Sequence, residues 1–217
     1  MADLRTPRGM NDSLLRTKNS EANMLTKQAK ILTDEQIKRV LGSLAAGRNA
    51  ARNRVMFLLS LNGLRAKEVA SLELSMITDA EGALTEEIAL QDKASKGHSG
   101  RVVFMSPALR DAIAEYLSER PLNQSKFLIV TERRERFSAN GVAGFFKRLY
   151  HRFGFNGASS HSGRRTFITR AARKISLAGG SLKDVQALAG HRHLSTTQRY
   201  IEQDVAAQRR VVSMVYA

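Results

Sequence analysis

Apolar residues recur at helical spacing along most of this chain and lose that period chiefly between about Met76 and Met105. Such a pattern folds as packed helices around one small sheet, so the expected class is α+β, mainly α-helical, with a small antiparallel sheet or hairpin. Thr33-Asp-Glu-Gln36 has the form of a capping box, and Ile37, Val40, Leu41 and Leu44 then follow at helical spacing to Gly47. A second helix is expected from about Asn49 to Asn62. Gly63 then turns the chain left-handed, which sets Arg65 at a helix N-terminus. Within the interruption, Glu87–Gln91 and Arg101–Met105 read as strands joined through a Lys, Gly and Ser-rich tip. Ser106-Pro107 is a cap followed by a proline suited to the first turn, and that helix should run to Pro121. Phe127–Val130 is a candidate further strand. Helices are expected at about Ser138–Arg152, Ser160–Leu177, Ser181–Ala189 and Ser195–Gln203. Residues 1–30, with Pro7, Gly9 and scattered charge, read as a flexible basic arm, and residues 31–217 as one domain.

Charge narrows the partner. The 35 Lys and Arg outnumber the 20 Asp and Glu, a formal net charge of +15, which favours a polyanion. With no cysteine, neither a disulfide framework nor a thiolate zinc site can form. Apolar runs such as Val55–Leu59 and Val102–Met105 are too short to span a bilayer, and the N-terminus lacks the apolar stretch of a signal peptide. A soluble, cytoplasmic protein with no membrane partner is the expectation. The chain has no Gly-rich phosphate loop and no carboxylate cluster of metal-binding form, so no cofactor and no metal is expected.

Four segments carry chemistry-bearing residues: Gly63-Leu-Arg65-Ala-Lys-Glu68, Ser95-Lys96-Gly-His-Ser-Gly-Arg101, His161-Ser-Gly-Arg164-Arg165, and Leu188-Ala-Gly-His191 followed by Ser-Thr-Thr-Gln-Arg-Tyr200. An arginine offers a planar fork of donors to two phosphate oxygens and keeps its charge throughout a reaction. Imidazole can move a proton near neutral pH, and a phenol can attack phosphorus once it loses its proton. Together these segments resemble the tyrosine recombinase family, the phage integrases and their relatives. The resemblance runs from about Ile31 to the C-terminus and looks closest to the minimal members such as the fimbrial invertases.

It implies a site-specific DNA recombinase working through a 3′-phosphotyrosyl intermediate. Tyr200 would be the nucleophile, Arg65 and Arg164 the phosphate clamp, and Lys96 the acid that protonates the leaving 5′ oxygen. His161 would take or relay the phenolic proton, and His191 would hydrogen-bond the phosphate. Glu68 would orient an arginine. Arg165 is the decoy beside Arg164, rejected because only Arg164 lies three residues after His161 and shares its helix face. His98 and His193 read as bystanders, and His151 as structural or phosphate-facing.

The implied partners are double-stranded DNA, a homo-tetramer on paired sites, and accessory DNA-bending proteins. The apolar residues after Tyr200, among them Val205, Val211, Val212 and Val215, pack either on a neighbouring subunit or on their own domain. Two departures stand out. The family's usual His-x-Leu-Arg-His reads His161-Ser-Gly-Arg164-Arg165 here, and only about thirty residues stand where many relatives carry a DNA-clamping domain. Type IB topoisomerases, which share the chemistry, and a catalytically silent DNA-binding regulator are the rival readings. Retention of all six catalytic residue types argues against the second.

Overall fold

The computed structural model describes residues 29–91, 100–120, 125–133, 136–201 and 205–215. Its helices are α1 (Asp34–Ala45), α2 (Ala50–Leu61), α3 (Ala66–Ser71), α4 (Pro107–Glu119), α5 (Ala139–Arg152), α6 (Ser162–Lys174), α7 (Leu182–Ala189), α8 (Leu194–Gln198) and α9 (Val205–Val215). Strands β1 (Glu87–Leu90) and β2 (Arg101–Phe104) pair antiparallel, with Ile88 opposite Val103 and Leu90 opposite Arg101. The expected class, mainly helical with one small antiparallel sheet, is the fold observed.

Local signals in the sequence act as expected. Thr33 Oγ1 accepts from the Gln36 amide at 3.2 Å while Gln36 Oε1 accepts from the Thr33 amide at 3.1 Å, so both halves of the capping box form. Ser106 Oγ accepts from the Leu109 amide at 3.3 Å, and Pro107 opens α4. The Ser106 amide in turn donates to Asn62 Oδ1 at 3.0 Å, which ties the exit of the hairpin to the end of α2. Gly63 takes φ +88, and a side chain there would also strike the Phe167 ring 2.7 Å away.

Helix α2 is the organising element. Val55 through Ser60 are consecutively buried, as befits a helix surrounded on all sides, and it packs against α1, α3, α4 and α6. Burial on every side also explains why its sequence lacks a clean apolar stripe. The main core forms around it from residues such as Val40, Phe57, Leu59, Ile113 and Phe146. A satellite cluster of Ile168, Val185 and Ala189 holds α6 against α7, with Tyr200 packed on it. Where α6 meets α2, a Cβ on Gly163 would lie 2.3 Å from Ser60 Oγ. That close approach seats the start of α6 on the main core.

Three expectations are corrected. Phe127–Val130 makes only isolated bridges, Glu73 with Phe127 and Val130 with Arg136. The Arg120 guanidinium takes the carbonyls of Phe127 and Leu128, both at 2.7 Å, so a neighbouring strand has no access to them. The helix expected to reach Leu177 ends at Lys174 and tightens into a 3₁₀ turn over Ile175–Ala178, stopped by Gly179 at φ +74. The helix expected to reach Gln203 closes at Gln198, before Tyr200. As for the tail, α9 leaves Val211, Val212, Met214 and Val215 exposed in the single chain, so those side chains do not pack on their own domain.

Candidate active site

The first cluster grows from the α3 N-terminus. Arg65 caps the helix, and its amide and guanidinium donate to the two Glu68 oxygens at 2.7 and 2.8 Å. Glu68 is only 2 % exposed, so an unpaired charge there would be costly. A second cation answers it from the hairpin: Arg101 Nη2 donates to Glu68 Oε2 at 2.9 Å. Burial works to raise the Glu68 pKa, but Arg101, the Arg65 amide and guanidinium, and Arg164 outweigh it and hold the carboxyl below its ordinary range.

The end of α7 binds these arginines to the rest of the site. A helix C-terminus leaves carbonyls without intrahelical partners and carries partial negative charge. Here three successive carbonyls each meet a different arginine. Leu188 O accepts from Arg101 at 2.6 Å, Ala189 O from Arg164 at 2.6 Å, and Gly190 O from Arg65 at 3.3 Å. Gly190 takes φ +59, and a Cβ there would lie 2.5 Å from Arg101 Cδ, so glycine is what lets Arg101 pass.

Arg164 is 4 % exposed and also donates to the Gly63 carbonyl, which joins α6, α7 and the α2–α3 turn. Burial, reinforced by Arg65 and Arg101, brings its pKa down to about 9, so it stays cationic at neutral pH. His161 precedes α6 and accepts the Arg165 amide on its carbonyl at 2.8 Å. Partial desolvation, then Arg164 and Arg65, lower its imidazole below the ordinary value. His161, Arg164 and Tyr200 line one cleft of about 320 Å³, together with Ala29, Ser159, Arg165, Thr196 and Arg199.

His191 follows Gly190 directly, and its ring stacks on Tyr200 with centroids 5.6 Å apart and planes at 25°. Its Nδ1 lies 3.0 Å from the buried Thr197 hydroxyl. Desolvation and the guanidiniums of Arg164, Arg65 and Arg101 push it down to about 4, so at neutral pH it is an uncharged imidazole. Neutral imidazole has one donor and one acceptor nitrogen. A Thr197 hydroxyl donating to Nδ1 leaves Nε2–H to donate outward.

The fold therefore brings together Arg65, Glu68, His161, Arg164, His191 and Tyr200, from segments more than a hundred residues apart. Lys96 lies outside the described residues, as do His98 and Lys93. His193 is exposed beside α8, and His151 is exposed in the last turn of α5. From the sequence, Arg101 is named only as the end of the Lys96 segment, with no role of its own, and Thr197 is not singled out. An arginine opening an otherwise apolar expected strand was the available signal for the first. Among the described residues no group of three or more His, Cys, Asp or Glu could hold a metal ion, and no helix is long and apolar enough to cross a membrane.

The sequence model of the Phage integrase family matches residues 30–207. Curated relatives include tyrosine recombinase XerA of Thermococcus kodakarensis, 31% identical over 79% of this chain, and that of Thermococcus onnurineus, 33% identical over 79%. The chain spans 57% of the length of each of these relatives. Among solved structures, the fold resembles XerA recombinase (TM-score 0.65, 23% identity, 86% of this chain and 63% of that one). It also resembles XerH recombinase bound to its difH substrate (TM-score 0.66, 21% identity, 88% of this chain and 55% of that one). The chain belongs to the phage integrase family.

Proposed function

We propose that this protein is a site-specific DNA recombinase that breaks and rejoins strands through a 3′-phosphotyrosyl bond. The observation that carries the reading is the single cleft in which Tyr200, Arg164 and His161 meet, with His191 stacked on the tyrosine. Arg65 and Arg164 hold the nonbridging oxygens of the scissile phosphate, and their charge offsets the negative charge added as the phosphorane forms. His161 accepts the phenolic proton as Tyr200 attacks phosphorus. The 5′ oxygen leaves with a proton from Lys96, and the phosphorus–tyrosine bond conserves the energy for rejoining.

His191 donates through Nε2–H to the same phosphate group, a role that needs no charge. Glu68 keeps Arg65 in place and, through Arg101, fixes the start of β2, five positions after Lys96 in the sequence. The relatives named above are recombinases, XerH is bound to its difH substrate, and the similarly folded Tn1549 transposon integrase is in complex with DNA, which supports double-stranded DNA as the partner. One site cleaves one strand, so exchange between two duplexes requires four protomers, and the exposed apolar side chains of α9 suit such contacts. Accessory DNA-bending proteins and a cytoplasmic location belong to the same proposal, as do residues 1–30 as a basic arm and residues 31–217 as the catalytic domain.

A plasmid assay tests the function. Two copies of a duplex site, enriched by the protein from a random-sequence pool, are placed on one supercoiled plasmid. Recombinant products that need both copies support the reading. Relaxation that proceeds equally without either copy contradicts it and favours a topoisomerase.

A further inference from the structure

Two cations in the cleft have no part in the mechanism above. Arg165, on α6, and Arg199, next to Tyr200 in the chain, both line it. Arg165 is half-buried, and its Nε is shielded from solvent with no hydrogen-bond partner among the described residues. Neither arginine has a carboxylate within 4.0 Å among those residues, whereas Arg65 and Arg101 are both committed to Glu68. No side-chain hydrogen bond or ion pair to a described residue commits either guanidinium, so the outer nitrogens of both are open to an anion in the cleft. The Thr196 hydroxyl shares the same lining.

The cleft is also larger than the scissile phosphate requires. At about 320 Å³ it holds several times the ~30 Å³ share of a water molecule. The Arg164 end is occupied by the clamp. Along a DNA strand the next charge follows at about 3.4 Å of axial rise, so a strand that presents one phosphate to Arg164 brings its neighbour close behind. We infer that Arg165, Arg199 and Thr196 form a second phosphate subsite, which binds the unreactive phosphate next to the scissile one on the cleaved strand. This rests on the recombinase reading and extends it. The subsite sets strand register: with the flanking phosphate seated, only one phosphorus faces Tyr200. Arg165, set aside in the sequence as a decoy for Arg164, is thereby a binding residue.

The test pairs protein charge removal with DNA charge removal. The probe is a nicked duplex carrying the pool-enriched site, with one methylphosphonate moved stepwise along the cleaved strand. Arg165→Gln, Arg199→Gln and the double variant are compared with wild type for affinity, for the position of cleavage, and for melting temperature. The double variant should bind about tenfold more weakly at low salt and lose about one from its salt slope, as one phosphate contact is removed. A methylphosphonate at the flanking position should weaken wild type similarly and weaken the double variant little further, because the two changes remove one contact. Fully additive losses at every position, or unaltered affinity in all three variants, would overturn the subsite. Arg199→Gln, at an exposed position, keeps the test valid should Arg165→Gln unfold. The tyrosyl adduct is scored on the same probe: wild type forming it while the variants behave as wild type sinks the subsite alone, and no adduct from any protein sinks both readings.

Discussion

The His191 ring lies stacked on the Tyr200 ring, 5.6 Å between centroids, with Thr197 Oγ1 at 3.0 Å from its Nδ1. Stacking and hydrogen bond together fix the imidazole between the nucleophile and the end of α7. Because the ring is held at about 4 rather than the ordinary 6.5, it stays neutral in the folded protein while the unfolded chain takes up a proton. The sign follows from that. As pH falls below about 6.5 the unfolded state gains protons first, so stability drops between about 6.5 and 4 and levels below.

His191→Asn should therefore flatten the stability profile across that window, by about 1 kcal/mol after allowing for the ring's partial exposure. Urea denaturation at intervals from pH 7 to pH 4 measures it. Wild-type and variant profiles running parallel would contradict the account. Thr197→Val should leave folding largely intact but lower the cleavage rate, since nothing then sets which nitrogen carries the proton.

Glu68 bridges Arg65 and Arg101, and its loss strands two cations. Glu68→Gln should cost about 3 kcal/mol, as expected for breaking a buried pair on one side. The Glu68 carboxyl, like His191, has its folded pKa lowered, so here too stability falls as the pH falls. With the folded value lowered, its contribution is present above about 4.5 and is lost as pH falls through the folded value. Arg101→Ala should destabilise more than Arg65→Ala, because Arg101 is 11% exposed at the side chain against 36% for Arg65. Thermal melts of the three variants give the order, and a larger loss for Arg65→Ala would contradict it.

Lys96 is assigned the leaving oxygen on sequence grounds. Lys96→Ala should cleave ordinary DNA at least about a hundredfold more slowly, yet recover on a strand whose 5′ bridging oxygen is sulfur, which departs without a proton. Arg164→Ala should show no recovery, since it serves the nonbridging oxygens in either substrate. Rescue of Lys93→Ala instead would move the acid, and equal rescue of Lys96→Ala and Arg164→Ala would dissolve the division between acid and clamp.

What the sequence discloses is local. Thr33 with Gln36, Ser106 with Pro107 and Gly63 before Arg65 each act through neighbours a few residues away, and each takes the conformation its type dictates. The motif residues were likewise readable, because the resemblance rests on short spacings. Long-range partners were not. Arg101 meets Leu188 across 87 positions, and Arg164 meets Gly63 across 101, contacts that no periodicity encodes. Phe127–Val130 was misleading for a different reason: its apolar run resembles a strand, while Arg120, only seven residues before it, occupies its carbonyls. Gly190 was legible as a helix stop, but its service to Arg101 becomes visible only once β2 and α7 are in contact.

The most direct measurement is the covalent bond itself. On a nicked duplex that loses the short strand after cleavage, the protein should accumulate as a DNA adduct stable to SDS, and peptide mapping should place the nucleotide on Tyr200. Tyr200→Phe removes only the phenolic oxygen and should bind the duplex as wild type does while forming no adduct. An adduct that persists in Tyr200→Phe, or that maps to another tyrosine such as Tyr216, would contradict the assignment of Tyr200 as nucleophile.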